Sequence, residues 1–283
     1  SGRVFMGFWE AIWKSSVLGV VQGLTEFLPV SSSGHLTLLQ KLLGFDTAGG
    51  AMTFINIMMH LGTLIAVVIV FRKDIAALFK KPFKTLLMLI VATIPAGVVG
   101  LLFSDEIDSL FAGDTGLLYL ALCFAITALM LLICELIAKR QKSPKPLGWG
   151  STVPMGLMQA VALFPGISRS GSTIVAGTVA GAKREEVASF SFLMSIPVIL
   201  GSFLVEVAGG VVDVAQGQPS VFTGIGGSEI VGMIFGVVLS AVFGFLAIKW
   251  MLKIIRKANY MWFSVYLLCL SLGCFWLNAL GLY

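Results

Sequence analysis

Six stretches of about twenty apolar residues, each nearly free of charge, limit what this sequence can fold into. They cover residues 52–71, 85–103, 117–138, 187–208, 229–248 and 261–281. A helix needs roughly 20 apolar residues to cross the hydrocarbon core of a bilayer. Only 12% of the 283 residues are charged, whereas about a quarter are charged in soluble domains. The sequence therefore predicts an all-α polytopic membrane protein.

Charged residues between these stretches alternate in sign. Segments near 72–84, 139–145 and 249–257 are basic, and segments near 105–114 and 213–229 are acidic. This alternation follows the positive-inside rule and predicts that the basic segments are cytoplasmic. We therefore interpret the net charge of +5 as a topology signal and expect no nucleic-acid partner.

The polar segment before the first apolar stretch recurs in the middle of the chain. Residues 19–35 read GVVQGLTEFLPVSSSGH and residues 156–173 read GLMQAVALFPGISRSGST. At an offset of 137 residues they share a glycine, a glutamine, a phenylalanine and a Ser-x-Ser-Gly sequence. Three apolar stretches follow each copy, which predicts two repeats, 1–146 and 147–283. An odd number of spans per repeat predicts that the second repeat is inverted in the membrane.

The charge pattern also predicts how the two polar segments sit in the bilayer. It places both ends of the first segment outside and both ends of the second inside. We therefore predict two re-entrant helix–turn–helix hairpins, about 8–45 and 150–182, that enter from opposite faces. Irregular backbone at membrane depth needs cover from protein or a wet cavity, so the two turns are predicted to meet near the middle.

The first turn carries chemistry in a compact pattern. Gln22 and Glu26 are four residues apart and so share one face of a helix. Pro29 is predicted to end that helix, residues 31–34 to form the turn, and a new helix to begin near His35. The unpaired N–H groups at such a helix start form a site for an anion.

The second turn adds an arginine, Arg169. An arginine at membrane depth is costly and normally has a dedicated partner, and its planar fork suits phosphate oxygens. Two anion-binding turns and an arginine indicate a phosphate site. Glu26 and His35 then supply a base, an acid or a metal ligand.

Each of these residues also has a structural interpretation. Glu26 could serve only as the ion-pair partner of Arg169, and His35 could cap or pack a helix. Serines at helix starts are more often caps than nucleophiles. Gln159 has no partner like Glu26 and is interpreted as a hydrogen-bonding residue. His60 lies in an apolar span and is interpreted as a hydrogen-bonded residue of the core or a cavity.

The two polar segments resemble the signature segments of the bacterial undecaprenyl pyrophosphate phosphatase family, which is linked to bacitracin resistance. The family carries a Glu/Gln-x-x-x-Glu motif, here Gln22 to Glu26, and a Pro-Gly-x-Ser-Arg-Ser motif, here Pro165 to Ser170. The resemblance covers essentially the whole chain, including the order and spacing of the spans.

This resemblance implies an integral membrane phosphatase that hydrolyses undecaprenyl diphosphate to undecaprenyl phosphate and inorganic phosphate. Such an enzyme recycles the carrier lipid for peptidoglycan synthesis and confers bacitracin resistance. It implies the bacterial cytoplasmic (inner) membrane as location, with membrane lipid and a polyprenyl diphosphate lipid as partners. The charge pattern predicts an active site open to the non-cytoplasmic side, and a homodimer is left open.

The resemblance also carries over a set of site residues. The implied catalytic residues are Glu26, Ser32, His35 and Arg169. Substrate contacts are expected from Ser31, Ser33, Ser168, Ser170 and Thr173, and Gln22 and Glu26 are expected to bind a divalent cation, Mg²⁺ or Ca²⁺. Two mechanisms stay open: Ser32 attacks with His35 as base, or a metal-bound water attacks and His35 protonates the leaving group.

A transporter is the competing hypothesis. Inverted repeats with broken helices that meet at the midplane are a transporter architecture, and a flippase of a polyprenyl phosphate lipid also needs an anion site. The grouping of Glu26, Ser32 and His35 favours the enzyme, because binding alone needs no acid–base pair.

Overall fold

The computed structural model describes residues 7–44, 50–112, 115–141, 143–223, 225–255 and 259–281. Four charged residues that contribute to the topology prediction, Asp114, Lys142, Arg256 and Lys257, lie outside these ranges, as does the end of the first predicted hairpin at residue 45. The described residues form eleven α-helices: α1 Phe8–Phe27, α2 Ser32–Leu42, α3 Gly50–Val70, α4 Arg72–Leu78, α5 Lys84–Ala112, α6 Gly116–Arg140, α7 Trp149–Val161, α8 Arg169–Val179, α9 Arg184–Ala215, α10 Gly227–Ile255 and α11 Met261–Ala279.

The six predicted spans correspond to α3, α5, α6, α9, α10 and α11, all long and apolar enough to cross a membrane. The prediction of an all-α polytopic membrane protein is confirmed. Four of these helices extend past the predicted ends, to Ala112, Arg140, Ala215 and Ile255. The predicted ends lie at the first polar residues or glycines after these apolar stretches. A helix can continue past such residues, because its backbone hydrogen bonds are made within the helix both inside and outside the membrane.

Two pairs of short helices, α1–α2 and α7–α8, form the predicted helix–turn–helix units. Helix α1 ends at Phe27, close to Pro29, as expected. Helix α2 begins at Ser32, three residues before the predicted start, because the Ser31 side chain caps it by accepting from the Gly34 amide at 3.3 Å. Ser32, Ser33 and Gly34 therefore belong to the first turn of a helix and not to a loop.

The two halves of the chain are interleaved. Helix α1 packs along α10 of the second half, α7 packs along α5 of the first half, and α6 packs along α11. The contacts of α1 with α10 and of α7 with α5 are compatible with two repeats related by a pseudo-two-fold axis. The boundary between residues 146 and 147 and the inverted orientation in the membrane stay predictions.

The two turns contact each other, as the sequence predicted. The Gly166 amide donates to the Ser31 hydroxyl at 3.1 Å, and the Ser170 hydroxyl donates to the Leu28 carbonyl at 2.9 Å. These bonds join the first turn to the loop before α8 and to the first residues of α8. They fix the position of the first turn relative to the second, whose first helical residue is Arg169.

Candidate active site

A cavity of about 640 Å³ lies where the two turns meet. Polar side chains from both helix–turn–helix units and from α3 line it, together with apolar residues of α5 and α9 and the polar side chains of Asp108 and Ser202 on those two helices. The polar members discussed below are Glu26, Ser31, Ser32, Ser33, Gln40, Asn56, His60 and Arg169. A concave site with a few convergent polar groups is the usual form of a small-ligand or headgroup site.

The Glu26 carboxylate joins both halves of this site. Its Oε2 accepts a hydrogen bond from the Ser32 hydroxyl at 2.5 Å and another from the Gln22 amide at 3.0 Å. Its Oε1 accepts from Arg169 Nη2 at 2.5 Å. The carboxylate is only 7% exposed, so these bonds act largely shielded from water. Three of the four residues predicted to be catalytic are therefore in direct contact.

Arg169 is held in one orientation by two different partners. Nη2 binds Glu26, and Nη1 donates to the backbone carbonyl of Ser191 in α9 at 3.1 Å. A guanidinium has five N–H donors in a planar fork, so further donors remain beside the cavity. Arg169 thus combines a buried ion pair with a fixed set of donors for anionic oxygens.

His35, the fourth predicted catalytic residue, is placed differently. Its Nδ1 lies 2.7 Å from the Ser31 carbonyl oxygen, and its Nε2 lies 2.6 Å from the hydroxyl of Tyr266 in α11. The ring stacks on Tyr266 with an interplanar angle of 11° and is not among the residues that line the cavity. The hydrogen-bond partner of the Ser32 hydroxyl is Glu26 and not His35. The role of His35 as a catalytic base or acid stays a prediction.

Three residues of the second turn that were predicted to contact the substrate, Ser168, Ser170 and Thr173, are buried and do not line the cavity. Ser168 caps α8 by accepting from the Gly171 amide at 3.0 Å, and Ser170 donates to the first turn. The Thr173 hydroxyl lies 2.6 Å from the Ser191 hydroxyl. In this arrangement the three side chains hold the turn and Arg169 in place, whereas Ser31 and Ser33 do line the cavity.

His60, which was interpreted as a hydrogen-bonded residue of the core or a cavity, lines the cavity. Its Nε2 lies 3.7 Å from Glu26 Oε2, and its Nδ1 lies 2.8 Å from the Asn56 carbonyl oxygen. The signal was available in the sequence: Asn56 and His60 are four residues apart in an apolar span and share a helix face. Polar side chains inside a membrane helix indicate a functional site by default.

Of the two residues predicted to bind a divalent cation, Glu26 lines the cavity, whereas Gln22 is fully buried outside the cavity lining. The Gln22 Oε1 atom is buried and has no hydrogen-bond donor, and amide and carboxylate oxygens suit Mg²⁺ and Ca²⁺. Among the described residues no three His, Cys, Asp or Glu side chains are grouped as a metal centre. Phosphate oxygens and water would complete the coordination, as is common for Mg²⁺.

Comparisons with known proteins show which family this chain resembles over most of its length. The family model described as bacitracin resistance protein BacA matches residues 15–273, which include both turns. The undecaprenyl-diphosphatase of Carboxydothermus hydrogenoformans is 38% identical over 271 residues, 95% of this chain and 98% of that protein. Proteins of the same name from Halothermothrix orenii and Methanobrevibacter smithii are 38% and 37% identical, and each match covers 90% of this chain and 93% of the relative.

Proposed function

This chain belongs to the bacitracin resistance protein BacA family, and on that premise we propose that it is an integral membrane undecaprenyl-diphosphate phosphatase. It hydrolyses undecaprenyl diphosphate to undecaprenyl phosphate and inorganic phosphate, which recycles the carrier lipid for cell-wall synthesis. The observation that carries the proposal is the convergence of Glu26, Ser32 and Arg169 on one cavity between two turns. The names of the relatives support the choice of lipid.

The short bond between Ser32 and Glu26 favours Ser32 as the nucleophile. Its hydroxyl oxygen attacks the terminal phosphorus, and its proton passes to Glu26 Oε2. The bond from phosphorus to the bridging oxygen breaks, and undecaprenyl phosphate leaves with the electron pair. Glu26 then releases this proton to water in the cavity. A second water molecule attacks the phosphorus of the phosphoserine and gives a proton to Glu26; the bond from phosphorus to Ser32 Oγ breaks, inorganic phosphate leaves, and the proton on Glu26 passes to Oγ and restores the Ser32 hydroxyl. The leaving phosphate needs little help from an acid, since the second pKa of a phosphate monoester is only about 6.

The other residues of the cavity bind and orient the diphosphate. Arg169 presents its donors to the phosphate oxygens. The third amide of α2 and of α8 bonds the capping hydroxyl of Ser31 or Ser168, and the first two amides of each helix have no acceptor in a preceding turn, which suits an anion. In phosphoryl transfer such positioning and charge stabilisation are the main contribution of a protein. A divalent cation held by Gln22 and Glu26 would neutralise part of the diphosphate charge.

Purified protein in detergent tests this function against the transporter, because detergent micelles leave no two compartments to connect. We expect phosphate release from undecaprenyl diphosphate with Mg²⁺ or Ca²⁺ and its loss in EDTA. Ser32→Ala should be inactive, whereas Ser109→Ala, at an exposed serine outside the cavity lining, should match the unmodified protein. No release with any cation would contradict the phosphatase, and full activity after verified metal removal would contradict the cation.

We also propose that the protein lies in the cytoplasmic (inner) membrane, with its cavity open to the non-cytoplasmic side. A homodimer stays a prediction.

Ser33 lines the cavity, so a Ser33→Cys variant should react with an impermeant thiol reagent added outside intact cells. The background needs serine at all four native cysteines, of which Cys269 is exposed. Lys80→Cys, in a basic segment, is the control and should react only in inverted vesicles. The reverse pattern would contradict the orientation.

A further inference from the structure

The chain has two histidines, and only His60 faces the cavity. It lies on α3, and its side chain is 30% exposed, against 6% for the Glu26 side chain beside it. The distance of 3.7 Å between His60 Nε2 and Glu26 Oε2 is too long for a hydrogen bond. The two atoms therefore face each other at the cavity wall without a direct bond.

The hydrogen bond made by Nδ1 of the His60 ring decides which ring nitrogen has a free lone pair to bind a metal. His60 Nδ1 lies 2.8 Å from the Asn56 carbonyl oxygen, and a carbonyl only accepts, so Nδ1 carries a hydrogen. In the neutral ring the lone pair is then on Nε2, toward Glu26. Histidines that bind metals typically donate the second ring N–H to a backbone carbonyl or a carboxylate in this way.

From this geometry we propose that His60, through Nε2, is a protein ligand of the divalent cation, next to Glu26 Oε2. The inference rests on the cation requirement of the proposed function. Ligand atoms lie about 2.0–2.6 Å from Mg²⁺ or Ca²⁺, so two neighbouring ligands at an angle of about 90° are roughly 2.8–3.7 Å apart. The observed 3.7 Å between His60 and Glu26 falls within this range.

Neighbouring contacts support this role. Gln40 Nε2 donates to Asn56 Oδ1 at 2.5 Å, which ties the α3 segment that carries His60 to α2. Arg169 binds Oε1, the other oxygen of Glu26, so the guanidinium and His60 contact different sides of the carboxylate. The predicted all-oxygen cation site thereby becomes a mixed oxygen and nitrogen site.

His35 provides a matched comparison within the same chain. It also bonds a backbone carbonyl four residues earlier through Nδ1, but its Nε2 is engaged by Tyr266. By the same reasoning His35 is not a cation ligand. The two histidines thus make the same Nδ1 bond to a backbone carbonyl, and they differ in the group that faces Nε2, which is Tyr266 for His35 and Glu26 for His60.

The test uses purified, metal-free full-length protein loaded with Mn²⁺ and inorganic pyrophosphate. Pulsed electron paramagnetic resonance should detect a ¹⁴N coupling to Mn²⁺ in the unmodified protein. We expect His60→Ala to lose this coupling and to bind Mn²⁺ at least about tenfold more weakly, and His35→Ala to keep both. His60→Gln should retain part of the affinity through its amide oxygen, without the ¹⁴N coupling.

Absence of the ¹⁴N coupling in the unmodified protein with Mn²⁺ bound would overturn the proposal, whether or not a variant folds. Persistence of the coupling in His60→Ala, or its loss only in His35→Ala, would do the same. Hydrolysis of undecaprenyl diphosphate is measured in parallel. Hydrolysis without ¹⁴N coupling would refute the role of His60 alone, whereas coupling without hydrolysis would refute the proposed function and support His60 as a ligand.

Discussion

Replacing Arg169 with lysine is expected to lower the turnover of undecaprenyl diphosphate about 10²–10³-fold, the usual effect of removing one transition-state contact. Arg169 bonds Glu26 and the Ser191 carbonyl at the same time, and this fixes the plane of its remaining donors toward the phosphate. Lysine keeps the charge but offers a single point donor. Arg169→Ala should be worse, since it also leaves the Glu26 carboxylate buried without its partner, at a cost to stability of about 3–5 kcal/mol.

Arg184→Lys is the matched control for this variant. Arg184 also forms a buried ion pair, with Glu135 at 2.9 Å, and lies over the Tyr260 ring, outside the cavity lining. Its replacement should leave turnover within a few-fold of the unmodified protein. Melting temperature and phosphate release are measured together for each variant.

The structural interpretation of Arg169 makes a different prediction for the same proteins. If Arg169 only balances Glu26, both single variants Arg169→Gln and Glu26→Gln misfold and the double variant recovers its melting temperature. A folded Arg169→Lys protein with nearly full turnover would remove Arg169 from the catalytic residues.

Replacing Gly34 with alanine is expected to lower turnover about 100-fold, because a shift of about 1 Å in a catalytic group costs about that factor. A Cβ atom at Gly34 would lie 2.7 Å from the Phe124 ring and 2.9 Å from Gly166 Cα. Gly166 is in the loop before α8, and its backbone cannot rotate away as a side chain can. The two turns would move apart, and with them Ser32 and Arg169.

The same substitution should lower the free energy of unfolding by about 1–3 kcal/mol, as is typical of overpacking. Gly97→Ala in α5 is the control, since a Cβ there meets no atom within 4 Å. It should keep its turnover and melting temperature. Full turnover in Gly34→Ala, or an equal loss in Gly97→Ala, would contradict the close contact of the two turns as the cause.

Part of the site could be predicted because it depends on local composition. An arginine among apolar spans needs a partner, and Glu26 was the carboxylate considered for it; their contact is now seen at 2.5 Å. Ser32 was predicted through the family resemblance. The error in the start of α2 has a local cause, because Ser31 caps the helix at the first position available after Pro29.

The two histidines show what the sequence could not determine. His35 lies in a signature segment but its ring contacts Tyr266, 231 residues away, whereas His60 lies in an apolar span and faces Glu26. Both placements depend on how α3 and α11 pack against the two turns. The polar pair in an apolar span marks His60 as a candidate, but no local pattern shows which of the two histidines faces Glu26.

The sequence by itself determined the membrane-protein class, the six spans and the two polar turns. Hydropathy and helix-breaking residues are local properties, and the apolar interior of a bilayer responds to them directly. Only the tertiary structure decided that Ser32 bonds Glu26, that Arg169 spans Glu26 and Ser191, and that His60 is the histidine of the cavity. These contacts join helices far apart in the chain, and their partners are selected by packing and by the satisfaction of buried hydrogen bonds.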